Sequence, residues 1–324
     1  MALINMKKSA LFVKSGATQP VYPAGFLEVE AELAINPTIP IEEFKRINGR
    51  LGSNDSYADT CKATTSLSIA HKMRSSNIAG TALETPPEYG ELLKMGGFTE
   101  AITGTGATGK VIYTNSQTPI KGCIAGFIDG YKQTATNSAV ADVSFDFAIG
   151  KAAMLNATIS AYLDNAGVAA VQAIPSVTLN VNPCLIVGCA DIITAAGTAI
   201  KADSIKIVMG AQVDDFYGMG IKEFNINDYT IKVTATFYPE NADYNAAINK
   251  LSAQTVEAVV VKLGTNLGLM VDGKSVLIEC ALAKASAFTD SVDKSTLKRE
   301  FTWMIQGDAT GAAIVITHGD LINI

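Results

Sequence analysis

Strict alternation of apolar and polar residues constrains this chain more than any other feature of its sequence. Segment 141–150 (ADVSFDFAIG) is apolar at every second position, and segment 229–237 (YTIKVTATF) repeats the pattern. Successive side chains of a β-strand point to opposite faces, so a period of two predicts half-buried strands. Related strand-like segments occur at 65–72, 154–163, 274–282 and 298–307. The sequence therefore predicts a β-rich fold whose sheets each keep one wet face.

The polar positions of the two clearest strands are candidate functional residues. Their small or charged side chains are expected to share the face opposite the core. A solvated sheet face is the simpler interpretation. The alternative is a surface along which a polyanion passes without binding, because acidic side chains repel phosphate. The candidates are Asp142, Ser144 and Asp146 in the first strand and Thr230, Lys232 and Thr234 in the second.

Two segments are predicted to be short helices, each packed through one apolar face. The first follows a capping-box pattern at 85–88 (TPPE) and stops at the glycines 96–97. The second spans 239–254, with Asn241 as the expected cap. The fold class is thus a β-rich α+β protein. The candidate packing residues are Tyr89, Leu92 and Leu93 in the first helix and Tyr244, Ile248 and Leu251 in the second.

Charge and composition argue against several classes of function. The net charge is −6 and the few arginines form no basic stripe, which is atypical of a nucleic-acid groove. The longest apolar run, 184–190, falls far short of the ~18 residues of a membrane span. Five scattered cysteines without a C-x-x-C pair indicate a reducing compartment and core packing. We therefore expect a protein made in a cytoplasm, with no membrane partner.

Candidate chemical sites each fail on their context. Gly104, Gly106 and Gly109 have the spacing of a dinucleotide loop, but a strand is predicted after them instead of a helix, so a flexible helix-to-strand connection is favoured. His71 is expected to pack within its strand, and His318 to lie in a solvated C-terminal tail. No residues show the spacing of a metal site or of a catalytic triad. The sequence predicts no enzyme, no metal and no cofactor.

The order of segments repeats along the chain. Strand 65–72 precedes the first helix as 229–237 precedes the second, and a pair of strands follows each helix. A diverged internal duplication explains this order, although two unrelated α+β halves could share it by chance. The resulting division has an N-terminal arm at 1–24, a first domain at 25–168, a connector at 169–183 and a second domain at 184–324.

This ordered series resembles the tail tube proteins of long-tailed bacteriophages. The resemblance rests on the helix ending in Gly-Phe (PPEYGELLKMGGF, 86–98), the strand VIYTNS (111–116), and the strands of 121–163 with their Asp129–Gly130 pair and Gly150 turn. It covers residues 25–165 and extends weakly, through the repeat, to 190–317. The lengths of segments 36–60 and 73–87 depart from the family pattern.

The resemblance implies two tandem tail-tube-type domains, each a β-sandwich or half-barrel with one short packed helix. Inner sheets of neighbouring chains would join around a channel, and the six polar candidates above would face its lumen. Three chains would complete a ring of pseudo-six-fold symmetry if both halves are tube domains, and six if only one is. The N-terminal arm and the two long segments are candidates for stacking the rings.

The same resemblance implies the partners and the location. The chain would bind itself, tail tip proteins and tail terminator proteins in the virion, and genomic DNA would pass through the tube without specific binding. Synthesis would take place in the host bacterial cytoplasm. A two-domain β-rich binding or adhesion module that forms no tube remains the alternative from a different class.

Overall fold

A computed structural model describes most of the chain. The residues that it describes are 9–22, 24–30, 33, 35–45, 54–74, 85–104, 109–116, 119–177, 184–188, 191–240, 245–266, 269–270, 275–307 and 313–319.

The first half of the chain alternates strands with one short helix. Its elements are β1 (Ser9–Ser15), β2 (Phe26–Leu27), β3 (Ile41–Lys45), β4 (Asn54–Ala58), β5 (Thr64–Lys72), α1 (Gly90–Met95), β6 (Phe98–Thr103), β7 (Lys110–Asn115), β8 (Gly122–Ile128), β9 (Tyr131–Ala148), β10 (Met154–Leu163) and β11 (Ala170–Val171).

The second half repeats the mixture. Its elements are β12 (Ile192–Ala195), β13 (Thr198–Ile200), β14 (Ala202–Gly218), β15 (Ile221–Phe237), α2 (Ala246–Ala253), β16 (Val256–Leu263), β17 (Thr265–Asn266), β18 (Leu269–Met270), β19 (Val276–Asp293), β20 (Thr296–Gln306) and β21 (Val315–Gly319).

Seventeen of these strands belong to one antiparallel sheet. Its central part runs in the order β5, β10, β9, β14, β15, β20, β19, and each strand pairs with the next over at least seven residues. The expectation of a β-rich fold is therefore confirmed. We call this seven-strand stretch the wall.

The wall has one buried face, and the period-two pattern explains it. Val143, Phe145 and Phe147 of β9 are buried, as are Ile231 and Val233 of β15. Residues of the other strands that point to the same side belong to the same buried cluster. This cluster also includes residues of α1. Because a strand shows alternate side chains to each face, burying these residues directs their polar neighbours outward.

Two pairings connect the halves of the chain through the sheet. Strand β14 pairs with β9 from Ser204 to Gly210, and β21 pairs with β7 across Val315–Gly319. Within each half the pairing order is the same: β10 lies between β5 and β9, and β20 lies between β15 and β19. The division into two tandem domains remains an interpretation, since both halves share this sheet.

Helix α1 packs as expected but begins later than its sequence indicates. It starts at Gly90 with Tyr89 in the cap position and no side-chain cap, so the capping box at 85–88 is wrong. Tyr89, Leu92 and Leu93 are all fully buried, which confirms their packing role. The helix ends at Met95 with Gly96 as its C-cap, and Gly97 has the positive φ of 91° that favours glycine.

Helix α2 packs through only part of the face expected of it. It spans Ala246–Ala253, with Asn245 as its cap, and buries Ala247. Leu251 is half-buried against the core, but Ile248 is half exposed, so its packing assignment is wrong. The expected cap Asn241 and the candidate Tyr244 lie outside the described residues.

Two of the three segments expected to stack the rings contain strands. Residues 9–15 of the expected N-terminal arm form β1, which pairs with β8 along its whole length and buries Phe12. Segment 36–60 contains the β3–β4 hairpin. Segment 73–87 lies largely outside the described residues, as does Gly106.

The glycine loop has a different context from the one expected. Strand β6 lies between α1 and the loop, so Gly104 and Gly109 flank a connection between the antiparallel strands β6 and β7. The interpretation as a helix-to-strand connection is therefore wrong. The loop joins two strands of a hairpin.

Candidate functional site: the polar face of the wall

The six candidate lining residues all lie on one face of the wall. The strand register aligns Asp142 with Gly210 and Thr230, Ser144 with Val208 and Lys232, and Asp146 with Lys206 and Thr234. Residues directly opposite one another in neighbouring strands point to the same face. The structure thus brings together residues from both halves of the chain that lie more than eighty positions apart in the sequence.

This face continues across the rest of the wall with the same chemistry. Strands β10 and β5 extend it on the β9 side, and β20 extends it beyond β15. The added residues are small or polar in most positions. They include Ser66, Ser68, Asn156, Thr158, Glu300 and Thr302.

Hydrogen bonds between neighbouring strands hold some of the polar side chains in place. The Asn156 amide donates to Oδ2 of Asp146 at 2.6 Å, and the hydroxyls of Thr234 and Thr302 lie 3.2 Å apart. Side chains that bond to each other along the sheet do not project far from it. The face carries two open depressions of about 460 and 350 Å³, the first beside Asp146, Lys206 and Thr234 and the second beside Asp142, Ser144 and Asn156.

The charge of the face differs from the acidic surface that segment 141–150 suggested. Lys206 faces Asp146 in the register, with Nζ 3.6 Å from Oδ1. Lys232 lies one strand further along, next to Val208. Both signs are thus interspersed, because β14 and β15 place lysines among the carboxylates of β9. Such exposed pairs contribute little to stability, so their main effect is on the surface potential.

An edge lysine on the same face also has a fixed partner. Lys72, at the end of β5, contacts Glu30 with Nζ 2.6 Å from Oε2. The hydrogen bond to Glu30 raises the pKa of Lys72 above its ordinary value, so this side chain stays charged at neutral pH. Its positive charge is largely balanced by its partner.

No protein-family model matches this chain, and no curated protein matches it. Any statement about function therefore rests on the geometry of the described residues. Among those residues, no group of three or more His, Cys, Asp or Glu side chains could hold a metal ion. Neither described helix has the length and hydropathy needed to cross a membrane.

The two histidines form a buried cluster that the sequence did not indicate. His71 lies in β5 as expected, and its Nδ1 is 2.7 Å from the carbonyl of Glu28. His318 is fully buried in β21 instead of lying in a solvated tail, so that expectation is wrong. Its Nε2 is 3.1 Å from the hydroxyl of Tyr89, whose ring also contacts His71. This cluster joins the C-terminal strand to α1.

The histidine cluster is suited to a structural role. Burial lowers the pKa of His318 from 6.5 to about 3, so the ring is neutral at physiological pH. Burial also lowers the pKa of His71 and raises that of Tyr89 far above its usual range. Burial thus keeps His71, His318 and Tyr89 in their neutral forms and away from solvent. Only the alternation around Val315 and Thr317 could have indicated that His318 lies in a strand.

Proposed function

We propose that this chain is a self-assembling structural protein of a bacteriophage tail tube, without catalytic activity. The observation that carries the proposal is the continuous polar face of the wall, to which both halves of the chain contribute. A conduit for DNA needs a smooth, hydrated lining that does not bind phosphate tightly. Small hydroxyl and amide side chains with interspersed charges of both signs meet that need.

The repeated pairing order supports a ring with three chains. Strands β5, β10 and β9 in the first half have the same relation to one another as β15, β20 and β19 in the second. If each set forms one sixth of a channel, three chains supply six sets and close a ring of pseudo-six-fold symmetry. Six chains would be needed if only one set lines the channel.

The ends of the wall support lateral assembly. Among the described strands, β5 pairs only with β10, while residues 28–38 add isolated hydrogen bonds such as Glu30 N to Ala70 O. At the other end, the part of β19 after Lys284 has β20 as its only partner among the strands that the structure describes. Open sheet edges favour pairing with another chain, and closing a ring removes them.

Negative-stain electron microscopy of the purified protein tests the proposal. Rings of three or six subunits around an open channel, or hollow tubes, are expected at high protein concentration. Symmetry counted from end-on views separates the two ring models. A chain that stays monomeric over a wide range of salt and concentration would refute the tube and favour a binding or adhesion module.

A further inference from the structure

The β14–β15 hairpin extends beyond the wall. Pairing of β14 with β9 stops at Gly210, and pairing of β15 with β20 stops at Ile231. Residues 211–230 therefore form a two-stranded ribbon that is about 25 Å long, at about 3.3 Å per residue. A ribbon of this kind is marginally stable alone, so contacts along its sides must hold it.

One side of the ribbon is fixed to the first half of the chain. Tyr162 of β10 stacks on Tyr217 and on Phe224, with ring centroids 6.2 Å and 4.8 Å apart. Lys62 contacts Asp215, with its Nζ 3.1 Å from Oδ2. These contacts all involve the same face of the ribbon, because residues 215 and 217 face the same way as their cross-strand neighbours 224 and 222.

The opposite side carries Glu223, which pairs with Lys121, whereas the end of the ribbon is apolar and exposed. Phe216 and Ile221 lie on the face away from Tyr162, and Met219 at the turn is completely exposed. Gly218 and Gly220 flank Met219, which leaves its side chain unobstructed. We call Phe216, Met219 and Ile221 the apex. Three large apolar side chains exposed within six residues indicate a contact surface.

A cavity lies at the other end of the same hairpin. It has a volume of about 470 Å³ and is bounded by β12, β13, α2 and β20. Apolar side chains form much of the cavity lining, and Lys201, Glu240 and Lys250 contribute charged groups. The apolar lining includes Ala199, Ile200, Phe237, Ala247, Phe301 and Trp303.

The apex cannot reach the cavity of its own chain. Phe237 pairs with Ala202 at the base of the hairpin, whereas Gly218 pairs with Ile221 at its end. The two sites are thus separated by about 50 Å of paired strands. An apex that fills such a cavity must come from another molecule, and every copy of this chain carries both sites.

We propose that the apex of one copy docks into this cavity of a second copy. The thioether of Met219 is flexible enough to adapt to an irregular apolar cavity. Because the two sites differ and lie at opposite ends, the contact is head-to-tail, and each copy that accepts an apex presents its own apex to a further copy. Its role in stacking successive rings rests on the proposed tube function.

Cross-linking tests the contact directly. Met219→Cys and Ala199→Cys, combined in a Cys61→Ser background, place one thiol at the apex and one at the cavity. Cys61 is removed because it is exposed and close to the ribbon. Treatment with a short bis-maleimide is expected to give a ladder of covalent multimers. Two control variants carry only one of the two added cysteines, Met219→Cys or Ala199→Cys, in the same background. Neither should give a ladder.

A second variant measures the effect of the apex on assembly. Met219→Ser is expected to weaken head-to-tail association by about 10- to 100-fold, as burial of one large apolar side chain predicts. Val171→Ser is the matched control, because Val171 is also highly exposed but lies in β11. Sedimentation across a concentration series compares the two variants with the unmodified chain.

The outcomes separate this contact from the tube itself. Rings without a cross-linked ladder, or Met219→Ser associating as strongly as Val171→Ser, would overturn the docking contact and leave the tube function standing. A ladder without rings would support the contact and count against the tube. Single rings from Met219→Ser, together with stacked rings from Val171→Ser, would support both.

Discussion

Acid should destabilise this protein through His318, because the surroundings of this ring disfavour its charged form. The imidazole lies between the rings of Tyr89 and Tyr113, and Tyr113 in turn donates to Glu100 at 2.7 Å. Nδ1 of His318 has no hydrogen-bond partner in the described part of the chain. With desolvation as the cause, the pKa of the ring falls to about 3.

The sign and size of the effect follow from proton linkage. The unfolded chain binds a proton at His318 below about pH 6.5, whereas the folded chain binds it only near pH 3. Stability that is present above pH 6.5 is therefore lost as the pH falls, at about 1.4 kcal/mol per pH unit. Between pH 7 and pH 4 the expected loss from this one group is about 3 kcal/mol.

His318→Gln isolates this contribution. Glutamine can still bond to the Tyr89 hydroxyl but does not titrate. Urea unfolding can be followed by the fluorescence of Trp303, the single tryptophan of the chain, which is buried beside Phe301. We expect the unmodified chain to lose about 3 kcal/mol more than the variant between pH 7 and pH 4. Carboxylates titrate in both proteins, so their effect cancels. Parallel stability curves would refute the reasoning.

Two further predictions concern the polar face and helix α2. Replacing both Asp142 and Asp146 with lysine should leave the fold intact but make assembled tubes retain DNA at low salt, as a filter-retention assay would detect; equal retention would remove these residues from the lining. Ala247→Asp should lower the free energy of unfolding by about 2 kcal/mol or more by burying a carboxylate, whereas Ile248→Asp should change it by less than about 0.5 kcal/mol. Thermal denaturation of both variants compares these effects, and equal losses would contradict the observed orientation of α2.

The alternation of residue types predicted which side of each strand is buried. Val143 and Val233 face the core and Asp142 and Thr230 face outward, as the pattern indicates, because side-chain direction within a strand is a local property. The polar face of each strand could therefore be predicted without knowing which strands lie beside it in the sheet.

Other features depended on contacts between distant parts of the chain. Whether a strand end is solvated or buried depends on what packs against it, so the pairing of β21 with β7 and β19 decided the position of His318. A helix of two turns with apolar residues on several sides can pack through any of them, and the sheet beneath α2 selected Ala247 over Ile248.

The sequence alone determined a β-rich chain whose strands each have a polar and an apolar side, because that period of two is written into consecutive residues. Only the tertiary structure decided that β14 lies beside β9, which joins the polar sides of both halves into one face and adds lysines to it. Backbone hydrogen bonds are the same for every strand, so a strand's own residues do not specify its neighbour. That choice requires the packing of the whole sheet.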